Sequence, residues 1–196
     1  PIIFAKYYLG KKMRLHQAYI CHRLLRAIKL GHRRIALCLA RQLGKSVFLG
    51  IFLIWCAWYN KLPATILNTT QCYIVSRDDE AAVELLDKIR GLLREGDKNM
   101  EQYTGMPNFF TGSLKEPNNT HQLTFLNNCF IKSIPPTGAV LGKSASIIVI
   151  DEAHRLNCED PDKFFNQFVM PTVAETNGLV ILSSSPEGVV GFFYDA

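Results

Sequence analysis

Two kinds of apolar spacing alternate along the chain, and each predicts a different element. Short runs with little polar interruption read as strands: residues 33–40, Gln71 to Ser76, Ser146-Ile147-Ile148-Val149-Ile150 and Gly178 to Ser183. The β-branched run before Asp151 has no polar break, as expected of a strand buried on both faces of a parallel sheet. Longer segments carry helical spacing. Lys11 to Leu30 places Leu15, Ala18, Tyr19, Leu24, Leu25 and Ile28 among basic residues, with Gly31 positioned to close the helix. Val47 to Tyr59 is apolar all round, which predicts a helix inside the core, ending near Asn60. Arg77-Asp78-Asp79-Glu80 opens a helix with acids in its first turn, predicted to reach about Arg94, and Asp160 to Met170 predicts a short one.

Two stretches break this rhythm. Glu95 to Thr120 is rich in Gly, Pro and Asn and predicts a surface excursion with some short helix near Met100 to Tyr103. Gln122 to Leu126 and Cys129 to Ile134, joined by Asn127-Asn128, predict a β-hairpin. Strands alternating with helices argue an α/β domain with a mainly parallel central sheet, flanking helices and an inserted hairpin.

Composition narrows this only at the margins. A chain of 196 residues is most simply one domain, and 48% apolar with 20% charged residues excludes disorder. The 13 residues from Val47 to Tyr59 are too few to span a bilayer, so Trp55 and Trp58 are assigned to the core or a subunit contact. Six cysteines lack any C-x-x-C pair, which argues against a zinc site; Cys38, Cys56 and Cys72 read as buried reduced thiols. Charge is more informative. Residues 1–77 hold 13 Lys/Arg and no acid, whereas the remainder holds 9 Lys/Arg and all 17 acids. A basic half of this kind suits a polyanion, nucleic acid before membrane, or else cations that serve a nucleotide or lie scattered in solvent.

The candidate chemistry starts at Ala40-Arg41-Gln42-Leu43-Gly44-Lys45-Ser46, between the first strand and the all-apolar helix. A tight turn there aims free backbone N–H groups and a helix dipole at one small volume, which fits a polyphosphate. Lys45 would reach the β- and γ-phosphates and Ser46 would hold Mg²⁺. The strict G-x-x-x-x-G-K-[ST] pattern fails, because Leu39 stands where its first Gly belongs. Gly142-Lys143-Ser144 repeats the tripeptide without a helix-like segment behind it.

A second anchor is the strand ending in Asp151-Glu152-Ala153-His154. Four apolar residues followed by two carboxylates form the Walker B arrangement. Asp151 would hold Mg²⁺ through its water shell, and Glu152 would deprotonate the attacking water.

With Gln17 on its basic helix, the Arg41-Gln42-Leu43-Gly44-Lys45-Ser46 loop, the Ile148-Val149-Ile150-Asp151-Glu152 strand end and the Ser183-Ser184-Ser185-Pro186-Glu187-Gly188 turn, the chain resembles the ATPase domain of a large terminase subunit, the DNA-packaging motor of tailed viruses. The resemblance runs from about Leu15 to Tyr194. It implies a P-loop NTPase of RecA/ASCE type, a Mg²⁺-dependent ATPase spanning residues 1–196 as the N-terminal ATPase domain. By the same resemblance Arg41 is a cation placed near the γ-phosphate in cis or towards a neighbour, or alternatively a loop salt bridge. Gln17 reads adenine, unless it is a plain surface amide. Ser183, Ser184 and Ser185 form a coupling motif that senses the γ-phosphate, or serines of an ordinary turn. Implied partners are double-stranded DNA, a portal protein, a small terminase subunit and neighbouring copies in a ring; the implied setting is the host-cell cytoplasm, with no membrane.

Two departures stand out. Packaging ATPases often carry Arg-Gly ahead of the Walker B strand, and here Leu141-Gly142 is followed by Lys143. The family's RNase H-like nuclease domain is expected to be absent from a chain ending at Ala196. The nearest rival is a superfamily-two helicase, whose D-E-A-H box Asp151 to His154 spells, although this loop lacks the additional Gly that helicase loops carry just before G-K-[ST]. A nucleic-acid-binding module with a merely structural ATP site is the third reading.

Overall fold

A computed structural model describes residues 1–62, 68–116, 119–137 and 143–186. Six strands form one sheet in the order β1-β6-β5-β2-β4-β3. They are β1 (Arg34–Cys38), β2 (Gln71–Val75), β3 (Gln122–Thr124), β4 (Phe130–Ser133), β5 (Ile147–Asp151) and β6 (Leu179–Ser184). All pairings are parallel except β3 with β4. The expected hairpin is therefore present, and it extends the main sheet, because β4 also pairs in parallel with β2.

Register explains why these runs are apolar without interruption. Cys72, Ile147 and Leu179 lie side by side, as do Ile74, Val149 and Ile181, and both rows point into one core. The alternate residues, Tyr73, Ile148, Val180, then Val75, Ile150, Leu182, point into a second core on the other face. Period-two alternation thus fills both faces, each buried Leu, Ile or Val contributing about 1.5–3 kcal/mol.

Helices α1 (Ile2–Tyr7), α2 (Leu15–Lys29), α3 (Lys45–Trp58) and α4 (Asp79–Thr104) build the larger core. The second face is covered by a helical stretch made of α5 (Pro161–Lys163), a wider π turn (Phe164–Val169) and α6 (Met170–Ala174). Helix α3 is buried nearly all round, as its composition predicts, and Trp58 stacks among Phe109, Phe110 and Phe125.

Four expectations need correction. Helix α4 runs on to Thr104, so it absorbs the start of the supposed excursion, with Leu92, Leu93, Gly96, Asp97 and Met100 on its buried face. Gly105, at φ 70°, ends it. Strand β1 is an edge strand, and Arg34, Ala36 and Cys38 face solvent, so Cys38 is exposed rather than buried. On α2 the buried residues are Gln17, Cys21 and Leu24, while Leu15 is 92% and Tyr19 64% exposed. Helix α1, not foreseen, packs Phe4 against Tyr8, Tyr59 and Phe110.

Candidate functional site

Topology decides which residues meet. Strand β6 lies between β1 and β5, so the chain leaving β1, the serines ending β6 and the acids ending β5 emerge at one edge of the sheet. Leu37 is opposite Ser183, which is opposite Asp151. Clefts at the carboxyl ends of parallel strands are the usual ligand sites of such sheets.

The loop leaving β1 turns through two left-handed residues, Gln42 at φ 64° and Gly44 at φ 73°, before α3 begins at Lys45. Leu39 does not take a positive φ, which removes the conformational reason for a glycine there. Its carbonyl accepts a 2.9 Å hydrogen bond from the Lys45 ammonium, which also donates to Ser185 Oγ at 2.6 Å. Helix α2 supports the loop from beneath. Gln17, 8% exposed, donates from Nε2 to the Gly44 carbonyl at 3.1 Å and accepts from the Arg14 N–H at 2.9 Å. His16 Nε2 lies 2.9 Å from the Leu43 carbonyl. A Cβ on Gly44 would stand 2.6 Å from Gln17 Nε2, the end of a flexible side chain, so it is the φ of 73° that chiefly calls for glycine.

Asp151 is 7% exposed. Burial pushes its pKa up, against the nearby Ser183 hydroxyl and hydrogen bonds from the Glu152 N–H and Ser46, which favour the carboxylate. Ser46 Oγ stands 3.3 Å from its Oδ2 and the Glu152 N–H 3.1 Å from its Oδ1. Ser183 is close enough to help hold that charge, yet its wholly buried Oγ completes no hydrogen bond of good geometry. Glu152 adopts φ 52°, ψ 40°, a left-handed conformation costing roughly 1–2 kcal/mol for a residue with a Cβ. The turn separates the two acids: Asp151 stays against Ser46, while Glu152 lines the cleft.

That cleft, about 450 Å³, is lined by Arg41, Gln42, Gly44, Lys45, Ser46, Glu152 and Ser185, all expected from sequence. Lys88, His154 and Arg155 join them unforeseen. Lys88 comes from α4, and no local motif marks it; His154 was visible only as the last letter of a box. The three serines separate in role. Ser183 lies beside Asp151, Ser184 Oγ bonds the His154 ring, and Ser185 bonds Lys45. A larger cavity of about 840 Å³, near Pro136, Cys158 and Phe168, gathers none of the loop residues or the two acids. The lining chemistry, not the volume, identifies the first cleft as the candidate site.

The other glycine-lysine-serine repeat makes no comparable site. Lys143 and Ser144 lead directly towards β5, and Lys143 lies 5.7 Å from the Tyr73 ring centre. Leu141 and Gly142, and the Glu187 to Tyr194 part of the expected motifs, lie outside the described residues.

A Mg²⁺ ion fits the donors present. Magnesium commonly takes one or two protein oxygens and completes its shell with water and phosphate. Ser46 and Asp151 supply such a pair, beside the unsatisfied Ser183 hydroxyl. Among the described residues no group of three or more His, Cys, Asp or Glu could hold a metal by itself. No helix of the described residues is long and apolar enough to cross a membrane.

No protein-family model matches the sequence, and no curated protein matches it. Solved structures do. The ATPase domain of the large terminase of Thermus phage P74-26 superimposes with a TM-score of 0.66 at 17% identity, over 97% of this chain and 71% of that one. A mutant of the same domain gives 0.68, again at 17% identity and with the same coverage. The large terminase of bacteriophage HK97 gives 0.65 at 20% identity, over 93% of this chain and 36% of that one. These likenesses show the fold, which this chain shares with the large terminase ATPase domains.

Proposed function

We propose that this domain hydrolyses Mg²⁺-ATP to drive the packaging of double-stranded viral DNA into a preformed capsid, as part of a large terminase. One observation carries the reading: Lys45 and Ser46, Glu152, and Ser185, from three separate places in the chain, meet around one cleft, with Asp151 against Ser46. The fold match with terminase ATPase domains favours this role over the helicase reading.

In the proposed mechanism the loop N–H groups at Gly44 to Ser46 and the α3 dipole hold the phosphates. Lys45 turns its ammonium from Leu39 O and Ser185 Oγ to the β- and γ-phosphate oxygens. Ser46, and Asp151 through water, would hold Mg²⁺, which would supply positive charge against those oxygens. Glu152 takes the proton of the attacking water, and Arg41 meets the developing negative charge, in cis or at a neighbouring subunit. An arginine so placed is worth on the order of 10³–10⁵ in rate. Loss of phosphate returns Lys45 to Ser185, and that change passes through Ser184 and Ser183 along β6.

Gln17 reads adenine in this proposal, through an amide that also anchors the loop. Duplex DNA, a portal protein, a small terminase subunit and further copies in a ring are the proposed partners, in the host-cell cytoplasm.

The test is Mg²⁺-ATP turnover at high protein concentration for the parent and for Glu152→Gln, with folding and ATP binding checked. Turnover that collapses in the variant supports the mechanism. Equal rates in both would remove Glu152 as the base and sink it.

A further inference from the structure

We infer that the outward stripe of helix α2 is the surface that grips the phosphate backbone of duplex DNA. The inference rests on the reading above that DNA is the cargo, and it names where this chain would touch it.

Helical spacing sets the stripe. Tyr19, Arg23, Arg26 and Leu30 follow at intervals of three or four residues, with Lys29 beside them, so they share one side of α2. All are exposed, while Cys21 and Leu24 on the other side are buried. Acids three or four residues away on the same helix could pair with such cations. Here no acid is available: there is none anywhere in residues 1–77. Arg23, Arg26 and Lys29 form no ion pair with any described residue. Three mutually repelling cations therefore stand on one helix, a charge pattern complementary to a polyanion.

Spacing fits as well. Arg23 to Lys29 covers about 9 Å of helix axis at ~1.5 Å per residue. A DNA strand presents one phosphate per ~3.4 Å of its axis, so three long, flexible side chains can meet about three successive phosphates. Tyr19 adds a hydroxyl donor at the end of the stripe nearer the loop. Such contacts read no bases, which suits a motor that must move any sequence.

Position gives the stripe a mechanical consequence. The first turn of the same helix holds the phosphate loop, through Gln17 to the Gly44 carbonyl and His16 to the Leu43 carbonyl. DNA held on the outer side of α2 would lie one rigid helix away from the loop that binds ATP.

The experiment uses the whole chain and a short fluorescent duplex of arbitrary sequence. Affinity is measured by anisotropy across a salt series for the parent, for Arg23→Glu with Arg26→Glu, and for Arg94→Glu with Lys98→Glu. The last pair makes the same change of net charge on exposed positions of α4. The α2 variant is expected to lose at least about tenfold in affinity, and its salt dependence to fall by about two counterions. The α4 control should lose much less. ATP binding and melting temperature, measured on each protein, exclude misfolding as the cause. Equal losses in the two variants would reduce the effect to net charge and overturn the inference. Unchanged DNA affinity with lost self-association would assign the stripe to a neighbouring copy and overturn it too. A parent that turns over ATP without binding the duplex would overturn the inference and leave the hydrolytic reading intact.

Discussion

The Ser46 hydroxyl lies 3.3 Å from Oδ2 of Asp151, although α3 and β5 bring the two from positions 105 residues apart. The contact joins the phosphate loop to the acid strand at the point proposed for the metal. Because burial already pushes the Asp151 pKa up, its ionised form is costly to the fold and is retained for another reason.

Asp151→Asn should therefore separate stability from activity. The amide keeps the shape and removes a desolvated charge, so the variant should melt at or above the parent temperature. Turnover of Mg²⁺-ATP should fall at least about 100-fold, since a catalytic metal contributes several kcal/mol. Calorimetry and a phosphate-release assay on one preparation check both halves. A variant that unfolds early would make Asp151 a structural residue.

Gly44 is held mainly by its φ of 73°; the 2.6 Å approach that a Cβ would make to Gln17 Nε2 adds a smaller demand, that the end of that side chain shift. Gly44→Ala should cost about 1–3 kcal/mol of stability and weaken nucleotide binding by displacing the loop. Replacing Gln17 by Ala in the same chain removes the close approach but also the amide that holds the Gly44 carbonyl and is proposed to read adenine, so binding should not recover. Full recovery would show that the steric contact alone mattered.

Much of this site was legible because its signals are local. A loop between strand and helix needs glycine and lysine in fixed order, and a strand ending in two acids is visible as a run. What stayed hidden depends on pairing across the sheet. The insertion of β6 between β1 and β5 separates Ser183, Ser184 and Ser185 into three roles, and no feature of three consecutive serines announces it. Cys38 was misplaced for the same reason: its apolar run looks central, but β1 lies at the edge with cover on one face. The end of α4 was obscured by composition. Gly96 weakens a helical reading, yet its missing side chain admits Phe110, to which a Cβ would come within 2.7 Å. Lys88 reaches the cleft only because α4 packs beside α3.

The segment after α4 depends on one buried acid. Asp97, 5% exposed, accepts from the Phe110 N–H at 2.5 Å and from the Thr111 hydroxyl at 2.6 Å. Asp97→Ala leaves these donors unpaired beside the Trp58 cluster and should cost about 2–3 kcal/mol. The urea midpoint should drop accordingly, while turnover per folded molecule stays near that of the parent. Lost turnover in the fully folded variant would tie this distant loop to catalysis.

Acid sensitivity should trace in part to Asp78, which begins α4. Its Oδ1 accepts from the Ala81 N–H at 2.8 Å and its Oδ2 meets Arg77 Nε at 2.7 Å. The backbone hydrogen bond first, and the Arg77 side chain second, hold its pKa below the usual 3.8. The sign follows from proton binding. A carboxyl depressed in the folded state stabilises fully above its unfolded value, and that contribution is lost as pH falls through the folded value. Asp78→Asn keeps a helix-capping side chain but cannot titrate, so its stability should decline less steeply than the parent's below about pH 4. Asp78→Ala removes the cap as well and should cost about 1 kcal/mol at neutral pH. The Arg77 pair adds little, because 48% of the Arg77 side chain stays in water. Urea melts of the three proteins from neutral pH into this acid range read each contribution directly. Parallel curves for parent and Asp78→Asn would place the acid sensitivity elsewhere.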